Sequence, residues 1–325
     1  MKIDIVITWV DGSDPFWIEE RNKYSAREDD KNIIRFRDMG LLRYWFRGIE
    51  KFAPWVNNIY FITYGHYPDW LNLNNPKLKI INHKDYIPSN YLPTFSSHTI
   101  ELNLHNIEGL SEHFIYFNDD MFLTDYTKIN DFFIDDLPVG VAVMNAISPM
   151  DTLLNNVIIN NLKIINKHFD KNETLKNKKN WLSLKYGKEL LRNILFKYWH
   201  GFLGFQNYHG PSALLKSTLD EIWSIEGKEL DKTCKNKFRQ KEDLNQWLFL
   251  YWQYASNRFV AGYKKNIRYF ELSNDVHEIV NAILKHKYKT ICINDSEIEG
   301  NYEEIQEELR KAFEKILPEK SKFEI

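Results

Sequence analysis

Two adjacent carboxylates, Asp119 and Asp120, follow the apolar run Phe114-Ile115-Tyr116-Phe117 and precede Met121 and Phe122. Charges wedged between Phe117 and Met121 are costly to bury unless something neutralises them. A carboxylate pair at a strand end supplies the hard oxygen ligands that hold a divalent ion, Mg2+ or Mn2+, against a pyrophosphate. The plain alternative is an inert acidic pair on a surface.

Three further segments carry reactive types. Thr8-Trp9-Val10-Asp11-Gly12-Ser13-Asp14-Pro15 ends a β-rich run. In an open α/β sheet, loops at the carboxyl ends of strands form the binding crevice, and Gly12 would let backbone N–H groups approach a phosphate or nucleobase. Asp11 and Asp14 could hold ribose hydroxyls, although the same residues suit a tight turn. Tyr208-His209-Gly210-Pro211-Ser212 sets an imidazole beside turn residues that lead into a helix. It could take a proton from an attacking hydroxyl or donate to a phosphoryl oxygen; among ten histidines, a structural place is the plainer reading. Lys237-Phe238-Arg239-Gln240-Lys241-Glu242-Asp243 stands directly before a helix containing Trp247 and Trp252. Arg239 could grip phosphate oxygens through two parallel hydrogen bonds, with Asp243 joining a metal shell, or the run is an ordinary charged helix start. Arg35-Phe36-Arg37-Asp38 adds cations that could meet phosphates or pair with Asp38.

The elements that must position these groups follow from periodicity. Strands are expected at Ile3–Val10, Asn58–Tyr64, Leu78–Asn82, Phe114–Phe117 and Val139–Val143, alternating with helical patterns as in an α/β sheet. Asp38 can cap a helix whose Leu42, Trp45, Phe46 and Ile49 form the core stripe while Arg43, Arg47 and Glu50 face elsewhere, with Pro54 marking its end. Beyond residue 148 the pattern is mainly helical, with stripes at Leu154, Val157, Ile158, Leu162, Ile165 and at Leu244, Trp247, Leu248, Tyr251, Trp252. The Lys- and Asn-rich stretch Asp170–Asn180 reads as a solvated connection. Asn301 and Glu304 resemble a capping box for a last helix that docks through Ile305, Leu309, Ala312, Phe313 and Ile316.

The bulk numbers exclude some classes. Lys plus Arg number 43 against 45 for Asp plus Glu, so a net charge of -2 offers no general attraction for nucleic acid, and any phosphate recognition must be local. Cys234 and Cys292 fit neither a disulfide framework nor a zinc pattern and read as ordinary thiols in a reducing compartment. Asp4 and Asp11 interrupt the N-terminus too early for a signal-peptide core, and no run nears the ~18 apolar residues that span a bilayer, so membrane association would be peripheral. The 10 Trp and 18 Tyr could stack on sugars in a carbohydrate-binding protein with a dead site, but such aromatics are more often core.

Together these segments resemble the Stealth family, named for sugar-phosphate polymers of bacterial coats and including the animal enzyme that marks lysosomal glycoproteins with GlcNAc-1-phosphate. The first region is similar to Ile3 through Pro15; the second runs from Arg35-Phe36-Arg37-Asp38 through Ala53-Pro54-Trp55, Pro68-Asp69-Trp70 and Leu92-Pro93-Thr94-Phe95-Ser96-Ser97 to Asn118-Asp119-Asp120. The third is similar to His209-Gly210-Pro211 with Phe238-Arg239 and Lys241-Glu242-Asp243, and the fourth to Ile291–Ser321. Tyr64-Gly65-His66 departs from the pattern where an Asn-Gly-Gln-like turn is expected, as does Gln206-Asn207-Tyr208 more slightly, which bears on the identity of the sugar. The resemblance implies a Rossmann-like, glycosyltransferase-A-like mixed sheet flanked by helices, with residues 1–148 binding the nucleotide-sugar and a mostly helical part, 149–325, completing the same site. It implies catalytic roles for Asp119, Asp120, His209 and Arg239, and donor contacts at Trp9, Asp11, Gly12, Asp14, Arg35, Asp38, Ser97 and Asn118. A metal would sit on Asp119, Asp120 and Asp243. The implied reaction moves a hexose-1-phosphate from a UDP-sugar to a glycan hydroxyl with release of UMP, in the cytoplasm or at the inner membrane face. A metal-dependent glycosyltransferase releasing a nucleoside diphosphate is the rival, since the Asp pair alone fits both.

Overall fold

Alternating β-branched residues make Ile3–Thr8 a strand, β1, and it lies inside a five-stranded sheet in the computed structural model, which describes residues 1–25, 36–273, 275–296 and 302–325. β2 (Ile59–Thr63) and β3 (Leu78–Asn82) continue the sheet on one side of β1 and β4 (His113–Asn118) lies on the other, all parallel. The chain turns at Asp119 and Asp120 into β5 (Met121–Leu123), then makes a short hairpin of β6 (Phe133–Ile134) and β7 (Leu137–Gly140). β8 (Ser212–Leu215), from the second half of the chain, closes the main sheet antiparallel to β4. β9 (Val260–Ala261) pairs with β7, while β10 (Ile267–Glu271) and β11 (Thr290–Asn294) join β5 in a second sheet of order β10-β11-β5.

The main sheet is mixed and parallel-rich, with helices covering both faces. Ile5 and Ile7 point one way, into a core with Phe61, Phe117 and the helix Leu42–Phe52, whereas Val6, Tyr60 and Tyr116 point the other. α1 (Pro15–Tyr24) starts with Pro15 at its first position, and α2 (Leu42–Phe52) buries Leu42, Trp45, Phe46 and Ile49 as expected. α3 (Ser97–Leu102), α4 (Leu153–His168), α8 (Lys216–Cys234) and α9 (Trp247–Ala255) cover the opposite face; between them run the short helices α5 (Lys171–Thr174), α6 (Lys178–Trp181) and α7 (Leu190–Phe196). α10 (His277–Leu284) and α11 (Tyr302–Ile316) return to the α2 side, α11 through the expected Ile305, Leu309, Ala312, Phe313 and Ile316.

Several expectations are corrected. Asp38 does not cap α2: Leu41 holds that position without a side-chain bond, and Asp38 Oδ1 accepts instead from the Gly40 N–H at 2.8 Å. Arg47 is not on a solvent face but buried, forked onto Glu324 at 2.9 and 3.0 Å. Leu154 is exposed rather than in the α4 stripe. The stretch Asp170–Asn180 is a pair of helical turns tied to the core, where Lys171 Nζ donates to the Phe196 carbonyl and Asn180 Nδ2 to that of Phe259. The run expected at Val139–Val143 pairs as Leu137–Gly140, outside the main sheet. A strand, β8, stands between His209 and the helix it was expected to lead into. The Asn301 cap lies outside the described residues.

Candidate active site

Parallel strands deliver their carboxyl ends to one edge, and Thr8 of β1 stands opposite Asn118 of β4. Trp9 and Asp11 therefore emerge beside Asn118, Asp119 and Asp120. Because β8 runs the other way, its beginning reaches the same edge, with Ser212 opposite Tyr116, and that brings in His209 just before it.

The Asp pair occupies the two-residue turn between the main sheet and the second one. The Ile293 N–H donates to the Asp120 carbonyl at 2.9 Å, so β11 fixes the turn from below. Asp120, His209 and Cys292 present donor atoms within 4.8 Å of one another. Cys292 Sγ donates to Asp120 Oδ2 at 3.2 Å, and burial, with the neighbouring carboxylate, keeps it a thiol by raising its ionisation well above the ordinary value. Burial also raises Asp120, against the pull of His209 and Cys292, and Asp120 Oδ1 is buried without a hydrogen-bond partner among the described residues. Asp119 is open to solvent yet ringed by protein; desolvation, then the charges of Asp120 and Asp38, push it up to about 7 against the opposing charge of Arg239. These oxygen donors, one of them orphaned, and the His209 imidazole beside them fit a divalent cation.

His209 holds a left-handed backbone, φ 46°, unusual for a residue with a side chain, stabilised by its N–H donating to Asn207 Oδ1 at 2.7 Å. Its ring meets the edges of Trp247 and Tyr269, with centroids at 6.0 and 5.4 Å. Gly210 must lack a side chain here, because a Cβ would come within 2.6 Å of Ile267.

Arg239 reaches the site on a loop stitched to the segment before α3. The Phe95 N–H donates to the Lys237 carbonyl, Phe238 stacks on Phe95 at 5.3 Å, and Arg239 Nη2 donates to Ser97 Oγ at 2.7 Å. Asp243 is the knot of that loop rather than a metal ligand: fully buried, it accepts from His98 Nδ1, the Gln240 N–H and Asn236 Nδ2 at 2.7–2.9 Å.

Next to the acids lies a cleft of about 360 Å³, lined by Trp9, Asp11, Asp38, His66 and Trp70. Asp38 feels the charge of Asp11, and Asp119 that of Asp38, so the acids run continuously from cleft to turn. Asp11 accepts from Ser13, and its own N–H donates to His66 Nε2 at 2.8 Å, which leaves the His66 proton on Nδ1, 3.7 Å from Asp14 Oδ2. Asp14 caps α1 by accepting from the Trp17 N–H, and Gly12 serves close packing, since a Cβ would lie 2.0 Å from the Phe36 carbonyl oxygen. Arg37 is committed to Asp295, and Arg35 lies outside the described residues. Cys292, Tyr269, Trp247 and His66 join the site without having been expected there; only His66 gave a signal, as a departure from the family pattern. A larger hollow of about 520 Å³ lies at the opposite end of the sheet, lined by Ile49, Val56, Ile59, Asn75, Lys77 and Phe323.

A model of Stealth protein conserved region 1 matches residues 1–29, and one of conserved region 2 matches residues 35–138. A "capsular polysaccharide phosphotransferase WcwK" of Streptococcus pneumoniae is 45% identical over 99% of this chain and 99% of its own length. A "receptor polysaccharide phosphotransferase WefC" of Streptococcus oralis is 40% identical over 100% and 99%, and an "exopolysaccharide phosphotransferase cps2G" of Lactiplantibacillus plantarum is 39% identical over 99% and 96%.

Proposed function

The chain belongs to the Stealth family, and from that premise we propose that it is a sugar-phosphate transferase moving a hexose-1-phosphate from a UDP-sugar to a glycan hydroxyl in the synthesis of a surface polysaccharide. The observation that carries this reading is the gathering of Asp119, Asp120, His209 and Arg239 at one sheet edge, from three distant stretches of chain. The phosphotransferase names of relatives matching end to end favour it over sugar transfer alone. Residues 1–148 and 149–325 act as one unit in this scheme, because the second part supplies His209, Arg239 and the strand that brings His209 in.

The uridine takes the cleft beside Trp9, Asp11 and Asp38, with the pyrophosphate over the Asp turn. A divalent ion, Mg2+ or Mn2+, held by Asp119 and Asp120 would neutralise the pyrophosphate and stabilise charge on the transferred group. The acceptor oxygen attacks the phosphorus nearest the sugar and its proton passes to His209. The bond from that phosphorus to the bridging oxygen breaks, and UMP leaves carrying that oxygen. The sugar's C1–O bond is untouched, so the anomeric configuration survives in the phosphodiester. Arg239, held by Ser97, steadies the phosphoryl oxygens in flight. Asp120 and His209 bring their side-chain donor atoms within 4.8 Å of each other, so the carboxylate stands beside the ring. The same reading puts the enzyme on the cytoplasmic side of the membrane.

The test is product identity. Incubated with UDP-sugars, Mg2+ and a glycan acceptor, the protein is expected to release UMP and to add the mass of a hexose plus one phosphate. Release of UDP with addition of a bare hexose would establish the rival glycosyltransferase.

A further inference from the structure

Residues 182–200 contain Lys185, Lys188, Arg192 and Lys197 against a single acid, Glu189, in a chain whose overall balance is slightly negative. Folded, this segment inverts the usual rule for a surface helix. Its buried anchor is polar: Asn193 accepts from the Met144 N–H and donates to the carbonyls of Ala142 and Trp181. Tyr186 is buried and Leu190 and Phe196 pack inward, but one side of the helix carries apolar residues outward. Leu191, Ile194, Leu195 and Tyr198 recur at i, i+3, i+4 and i+7 and so share one side of α7 and its extension, with Leu191 62%, Leu195 63% and Tyr198 77% exposed. Leu184, 87% exposed, precedes the stripe and Trp199, 55% exposed, follows it.

Exposed apolar side chains in this number are unfavourable in water unless something covers them. The charges say what. Lys197 lies 4.7 Å from the Tyr198 ring at one end of the apolar face and Lys188 stands just before α7 at the other, while the one acid is consumed by Arg192 at 2.8 Å. A second copy of the chain would bring the same lysines against these in a symmetric contact, and they would repel. An anionic lipid surface complements both parts: aliphatic groups enter the acyl boundary, Tyr and Trp rest at headgroup depth, and lysines meet lipid phosphates.

We propose that residues 184–199 form a docking face for an anionic lipid bilayer. The face adjoins the candidate site, because Leu190 of α7 and Tyr208, the residue before His209, pack on the same small cluster around Val143 and Tyr186. A glycan acceptor borne on that bilayer is thereby presented beside His209. The proposal goes beyond the transfer reaction, and vesicle binding reads it without donor or acceptor.

The experiment is flotation of the full chain with vesicles of phosphatidylcholine and phosphatidylglycerol in equal parts, compared with phosphatidylcholine alone. Binding to the mixed vesicles is expected to be at least about tenfold stronger and to weaken with salt. Leu191→Glu with Leu195→Glu should abolish it, and Lys188→Gln with Lys197→Gln should lower it roughly fivefold per lysine. Leu184→Glu, outside the helix, gives an independent loss should the paired variant fail to fold. Wild-type protein that ignores both vesicle types, or Leu→Glu variants that float undiminished, overturns the proposal. So does self-association through this face, seen by sedimentation as a dimer that Leu191→Glu dissolves while vesicle binding is absent.

Discussion

Replacing Arg239 by Lys keeps the charge and discards the planar fork, and the surroundings set the consequence. Arg239 Nη2 spends one of five N–H donors on Ser97 Oγ at 2.7 Å, which anchors the guanidinium at the segment before α3. A lysine has one nitrogen on a flexible stem and cannot hold Ser97 and a phosphoryl oxygen in one fixed geometry. Loss of a donor aimed at developing negative charge lowers kcat roughly 10²–10³-fold, so Arg239→Lys should fall in that range. Ser97→Ala removes only the anchor. A hydrogen bond to a charged group contributes about 1.5–3 kcal/mol, and because both partners are half-buried the lower end applies, about a tenfold loss in rate. Since Ser97 acts through Arg239, adding Ser97→Ala to Arg239→Lys should cost nothing more. Initial rates of UMP release at saturating donor measure all four proteins of this cycle. Wild-type turnover in Arg239→Lys, or simple multiplication of the two effects in the double variant, would refute the assigned roles.

Other outcomes follow from packing and charge. Cys234 and Cys292 are buried, and burial pushes the Cys234 thiol up to about 12 and raises Cys292 as well, so native protein should resist iodoacetamide while the unfolded chain takes up two adducts by mass; prompt labelling of the native form would contradict the packing described. Gly12→Ala places a Cβ 2.0 Å from the Phe36 carbonyl oxygen, and the forced shift should destabilise the protein by about 1–3 kcal/mol, visible as a lower urea midpoint. Arg47→Ala strands the buried Glu324 and should cost about 3–5 kcal/mol. Burial alone would raise the Glu324 carboxyl, but the Arg47 fork and Ser321 outweigh it and hold it below its usual value; its stabilisation is therefore complete above about pH 4.3 and fades as pH falls through the folded value. Glu324→Gln should thus be weaker than wild type near neutrality and nearly equal to it in strong acid, and a difference independent of pH would exclude this linkage.

The parallel core was legible because its strands are long and its helices one-sided. β1 to β4 are runs of five or six residues, and the α2 stripe has helical spacing. β5 and β8 were not, because each is only three or four residues long and buried throughout, too short for a periodic signal. Lys171 and Asn180 look solvated in sequence because their composition says nothing about carbonyl groups waiting inside. Asp14 and Asp243 show the same limit in the site. Their spacing reads as ligand chemistry, yet Asp14 gives one oxygen to the Trp17 N–H to start a helix, and Asp243 gives both of its oxygens to Gln240, Asn236 and His98 to close a loop.

Cys292 shows why the remainder could not be read from spacing. It is 172 residues from Asp120, and it reaches that carboxylate only because β5, too short to signal itself, pairs antiparallel with β11 in the register that sets Cys292 opposite Met121. A slip of one residue would turn the thiol to the other face of the strand and bring a neighbour under the acid. The turn bearing Asp119 and Asp120 is therefore held from both sides: β4 carries it out of the parallel sheet, and β11 receives it through the Ile293 N–H. Two carboxylates that repel each other stay in place because backbone pairing on both flanks leaves the turn no other path, and that is the arrangement a cation-binding corner requires.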